Sequence, residues 1–81
     1  MHRDGDERVL ESGVTGTVRF VNADRGFGFI SRDDKQPKVF LHITAVLAAG
    51  HDDLEKGQRW MFDVVDAGDD KLEAANLVAI P

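Results

Sequence analysis

The chain has 81 residues, enough for one compact domain and too few for two. It contains no cysteine, which excludes disulfides and thiolate metal sites, and no apolar run near the length of a membrane span. Its net charge of −5 speaks against any activity resting mainly on attraction to a polyanion.

Residues 1–13 are polar and aperiodic. Asp4, Asp6, Glu7 and Glu11 outweigh Arg3 and Arg8 there, leaving −2, so residues 14–81 carry the other −3. This segment lacks the apolar stretch of a secretory leader and is read as a flexible charged extension. The protein is expected to be soluble and cytoplasmic.

From Val14 onward short β-prone runs alternate with turn residues. Val14 to Val21 is rich in Val, Thr and Phe and predicts a first strand. Asn22 to Gly26 reads as a turn, and Phe27 to Ser31 as a second strand. Arg32 to Pro37 is a polar loop, and Lys38 to Thr44 a third strand. The apolar run Thr44 to Gly50 is too short for a standard helix and predicts one helical turn ending at Gly50. After a charged connection, Gln58 to Asp66 and Lys71 to Ile80 predict the fourth and fifth strands. Five strands without a long helix predict an all-β domain over residues 14–81, a small antiparallel barrel or sandwich.

Four of the five phenylalanines, Phe20, Phe27, Phe29 and Phe40, lie in the first three strands. Alternation puts Phe27 and Phe29 on one face of the second strand and Ile30 on the other. In the third strand Phe40 and His42 share a face, opposite Val39, Leu41 and Ile43. An aliphatic interior then leaves the aromatic residues outside. The local pattern equally allows the opposite register, with the phenylalanines inside. His42, with its polar ring, suits a wet surface better than a dry core. Exposed together, these rings form a platform on which unpaired bases stack.

The segments Gly16 to Asn22, Arg25-Gly-Phe-Gly-Phe-Ile30, Val39-Phe-Leu-His-Ile43, Gly57-Gln58 and Ala74-Ala-Asn-Leu77 resemble the bacterial cold-shock proteins in order and spacing. The resemblance covers roughly residues 14 to 80. It implies a five-stranded OB-fold barrel whose exposed aromatic face binds single-stranded RNA and DNA. Carried over position by position, it implies nucleic-acid contacts at Arg19, Phe20, Arg25, Phe27, Phe29, Lys38, Phe40, His42, Ile43 and His51. An RNA-recognition-motif domain shares the Gly-Phe-Gly-Phe run, but places it late and after a helix.

The sequence departs from the family pattern in several places. Phe20-Val21 replaces the usual tryptophan and phenylalanine. Ile43 and the region of His51 lack the usual aromatics. Lys38 replaces an acidic residue and offers a phosphate contact. In the loop Gly68-Asp69-Asp70-Lys71 the two aspartates would repel phosphate. Trp60 falls in phase with Phe62 and Val64 and is read as core, its indole N–H needing a partner or an edge position.

The mechanism implied is stacking on the aromatic face, with Arg19, Arg25 and Lys38 touching phosphates and acids such as Asp33, Asp34, Asp52 and Asp53 facing away. Binding unpaired strands would melt structured RNA, an RNA-chaperone or regulatory role without catalysis. The two serines, Ser12 and Ser31, lack a nucleophile-elbow context. The three histidines lack metal-ligand spacing, and the paired aspartates read as turn formers. No cofactor is implied. A monomer is expected, with a strand-exchanged dimer as the alternative. From a different class, the same apolar face would suit a protein-interaction module with weakened nucleic-acid binding.

Overall fold

In the computed structural model, which describes residues 8–81, the β-prone runs form strands and the Gly- and Asp-rich segments between them form turns. The elements are β1 (Arg8–Asn22), β2 (Phe27–Arg32), β3 (Val39–His42), α1 (Ile43–Ala48), β4 (Arg59–Asp66) and β5 (Leu72–Ala79). They close into a barrel in the order β1-β2-β3-β5-β4. This is the all-β, five-stranded OB-type barrel expected, with one qualification. The junction between β3 and β5, at Phe40↔Glu73, is parallel. Parity requires it: strands that alternate in direction cannot close a ring of five without one parallel contact.

The barrel interior is aliphatic, as alternation predicted. Val18, Ile30, Val39, Leu41, Val46 and Val64 are wholly buried, together with Trp60 and Phe62. Two glycines let the strands approach. A Cβ on Gly16 would meet Ile30 Cγ2 at 2.5 Å and the Ser31 carbonyl oxygen at 2.6 Å. One on Gly28 would press into the carbonyl oxygen of Phe20.

The extension differs from expectation. β1 starts at Arg8 rather than Val14, and Arg8, Val9 and Glu11 pair with Asp66, Val65 and Val64 of β4. Register shifts between Val9 and Glu11 and between Glu11 and Val14 interrupt the alternation that would have marked a strand. The flexible reading is therefore corrected for residues 8–13, and residues 1–7 lie outside the described residues.

Arg32 fastens this segment. Its buried guanidinium donates to Glu11 (Nη1–Oε2 3.0 Å, Nη2–Oε1 2.7 Å) and to Asp34 (Nε–Oδ1 2.9 Å, Nη2–Oδ2 2.6 Å). These hydrogen bonds hold the Glu11 and Asp34 carboxyls below the usual carboxylate range. Asp33 is likewise lowered, first by the Arg59 guanidinium, which grips both its oxygens at 3.0 Å, and then by the Thr15 hydroxyl. Asp33 thus holds Arg59 of β4, and Asp34 holds Arg32 two residues before it, as well as both forming a turn.

The short helix falls close to its expected place. His42 caps it, its Nδ1 accepting from the Thr44 backbone N–H at 3.2 Å. The helix ends at Ala48, and Gly50, at φ +88°, turns the chain away.

Candidate nucleic-acid interface

Strict alternation in β1 would bury Phe20 behind Val18. A bulge prevents this. Val18 pairs with Ile30 and Phe20 with Phe29, so Arg19 is an extra residue in β1. The phase of the strand reverses there: Val18 is wholly buried, while Phe20 is 48% exposed. Arg19 also faces solvent.

In β2 and β3 the unbroken alternation does the same work. Phe29 lies opposite Phe40, and Phe27 opposite His42, in the ladder. All four of these side chains are half-buried on the outer face. The rings are contiguous. Phe20 lies 6.2 Å from Phe27 and 6.0 Å from Phe29, centroid to centroid. Phe40 lies 5.4 Å from Phe27, 5.8 Å from Phe29 and 6.3 Å from His42. The tilted and edge-on arrangements among them are those favoured by ring quadrupoles. The Gly28 backbone, sandwiched against Phe20, brings the β1 ring within reach of the β2 rings.

Cations border this surface. Lys38 Nζ lies 4.9 Å from the Phe29 centroid, over the ring, and Lys71 Nζ lies 4.3 Å from that of Phe40. A depression of about 400 Å³ is lined by Arg19, Phe20, Phe29, Ser31 and Lys38. A second, of about 340 Å³, runs between Phe29, Phe40, Lys38 and Lys71 and includes Asp70. Arg25 is exposed in the β1–β2 turn, its backbone N–H bonded to Asn22 Oδ1 at 3.1 Å.

The structure therefore gathers Phe20, Phe27, Phe29, Phe40 and His42, with Arg19 and Lys38 beside them. It does not bring in two of the residues carried over from the resemblance. Ile43 is half-buried and packs on the core next to Gly26. The exposed His51 stands edge-on to Trp60, at 4.8 Å and 87°. Trp60 is core, as expected, yet its Nε1 finds no hydrogen-bond partner among the described residues. Lys71, over Phe40, borders the face without being among the residues that the resemblance implies. Its position after Gly68 was visible, but the adjacent Asp69 and Asp70 suggested repulsion.

Among the described residues, no cluster of His, Asp or Glu is placed to hold a metal ion, and no helix is long and apolar enough to cross a membrane. A closed five-stranded barrel with aromatic rings exposed on neighbouring strands defines an OB-type nucleic-acid-binding module. The chain belongs to the family of the 'Cold-shock' DNA-binding domain, whose profile matches residues 14–80. It is 47% identical over 67 residues to a probable cold shock protein of Sinorhizobium fredii, covering 82% of this chain and 97% of the relative. It is 45% identical over 67 residues to the cold shock-like protein CspC of Bacillus cereus, covering 83% and 100%. It is 39% identical over 66 residues to the cold shock-like protein CspA of Shewanella violacea, covering 82% and 93%. Such domains are nucleic-acid binders rather than enzymes.

Proposed function

We propose that this protein binds single-stranded RNA and DNA by stacking unpaired bases on Phe20, Phe27, Phe29, Phe40 and His42. The observation that carries the reading is the bulge at Arg19, which turns Phe20 outward to complete a contiguous face of four phenylalanines. Each stacked base contributes roughly 1–3 kcal/mol. Four or five together supply most of a micromolar affinity, about 8 kcal/mol, before ordering costs. Arg19, Arg25 and Lys38 contact phosphates. The protein acts as a cytoplasmic monomer that holds RNA unpaired, as a chaperone or as a regulator of transcription or translation.

The test is fluorescence anisotropy with a labelled seven-nucleotide oligo-dT or oligo-U at two salt concentrations. About three phosphate contacts give a log–log salt slope near −2 for a single strand. Saturable, weakly salt-dependent binding is expected, with none to a duplex of the same length. Binding to duplex and single strand alike would overturn the stacking mechanism. The acidity of the chain favours one other reading, a protein-interaction module. Arg19→Glu with Arg25→Glu separates the two, because only nucleic-acid binding falls sharply when these charges are reversed.

A further inference from the structure

The depression between β1 and β2 has a lining that goes beyond a sequence-tolerant platform. Its floor is Phe20 and Phe29. Arg19, Ser31 and Lys38 complete its lining, each with a side chain able to donate a hydrogen bond, and no carboxylate is among the lining residues. The nearby Asp33 carboxylate is held by Arg59, which takes both its oxygens at 3.0 Å. A base lying on Phe20 and Phe29 therefore meets donors at its edge. The ammonium of Lys38 now rests over Phe29, at 4.9 Å from the ring centroid, where a base plane would come to lie. Its flexible four-carbon stem lets it move to the edge of the incoming base.

Bases differ in what they offer such a lining. Guanine presents two adjacent acceptors, O6 and N7, on one edge with no donor beside them. Adenine sets an amino group next to N7 on the same edge, facing a cation with a donor. In a single strand that edge is free to be read. We infer that this depression is a guanine-selective subsite, with Lys38 and Arg19 as the residues that choose the base. The inference rests on the stacking platform proposed above and specifies one position on it.

Four labelled heptanucleotides test it, each a dT run with one central substitution: guanine, hypoxanthine, adenine or 2-aminopurine. Guanine and hypoxanthine both carry O6 and N7, whereas 2-aminopurine keeps the exocyclic amine and lacks O6. The first two are expected to bind about tenfold tighter than the last two, the lower part of the range for cation recognition of guanine. The discrimination should disappear in Lys38→Met and shrink in Arg19→Met, with folding of both variants checked by Trp60 fluorescence. Equal binding of all four oligonucleotides overturns the subsite and leaves the platform intact. A uniform loss across all four in Lys38→Met, with the guanine preference retained, leaves Lys38 only the phosphate contact proposed above and overturns its part in choosing the base. A guanine preference that survives both substitutions removes these residues as its source. Absence of binding by every oligonucleotide counts against the platform itself.

Discussion

Gly28→Ala joins the fold to the site in a single methyl group. Gly28 lies between Phe27 and Phe29 in β2, buried against β1. A Cβ there would meet the Phe20 carbonyl oxygen, the Phe20 carbonyl carbon at 3.3 Å and Val21 Cα at 3.4 Å. All three atoms are backbone, so no side chain can turn aside. The oxygen is roughly an ångström short of an ordinary C···O approach. Relief requires β1 and β2 to part at the bulge that exposes Phe20. Overpacking typically costs about 1–3 kcal/mol, and a rigid backbone neighbour puts this substitution at about 3 kcal/mol. A domain of 81 residues holds only about 4–12 kcal/mol in total. The expected fall in Tm is roughly 12–24 °C. Trp60, the sole tryptophan and buried, reports the transition in urea. Gly50→Ala is the control: Gly50 has the positive φ, +88°, that Gly28 lacks, and nothing lies within 4 Å of its Cβ. Its expected cost is about 1–2 kcal/mol, from backbone conformation alone. If Gly28→Ala costs no more than Gly50→Ala, close strand approach is not what holds Phe20 against β2, and the argument fails.

Two further predictions separate binding from stability. Phe29→Ala should weaken oligo-dT binding about 5- to 150-fold, the equivalent of roughly 1–3 kcal/mol, while leaving the urea midpoint nearly unchanged. Phe62→Ala, in the core, should instead unfold the protein more easily by about 3–5 kcal/mol. Glu11 and Asp34 are lowered by their hydrogen bonds to Arg32. Their contribution to stability is present above the ordinary carboxylate pKa of about 4 and is lost as pH falls through the depressed native values. Glu11→Gln with Asp34→Asn should therefore flatten the fall in stability below about pH 4 in urea titrations. An unchanged acid limb would mean that the Arg32 clasp does not hold the start of β1.

What the sequence made legible followed period-2 alternation wherever it ran unbroken. β2 and β3 sort cleanly into Ile30, Val39 and Leu41 inside and Phe27, Phe29, Phe40 and His42 outside, and Trp60, Phe62 and Val64 mark the inner face of β4. The failures occur where an irregularity shifts the phase or where a partner is remote in sequence. Shifts near Leu10 and Gly13 hid the first part of β1. Arg32 sits in what read as a polar loop, yet it is buried because Glu11, 21 residues earlier, folds back onto it. His51 could be aligned with a family position, but nothing local indicates that its ring meets Trp60. Alternation alone would also have sent Phe20 inward, and only the resemblance placed it at the site.

The global charge misleads because it is not the charge at the face. Of the fifteen acids, Glu11, Asp33 and Asp34 are engaged by Arg32 and Arg59. Around the rings stand Lys38 and Lys71, each over a phenylalanine, and Arg19 in the bulge. Against them are Asp70, which lines the second depression, and Glu73, which lies opposite Phe40 in the ladder. Local attraction to phosphate is therefore modest but has the right sign. Long-range attraction, set by the net charge of −5, has the wrong sign. A polyanion gains little by approaching this protein except at the aromatic face, and gains most there if its bases are free to stack. A duplex, whose bases already stack on one another, brings only its phosphates. On the stacking mechanism proposed above, the net negative charge repels a polyanion that brings only its phosphates, so the acidity of the chain would favour unpaired strands over duplex.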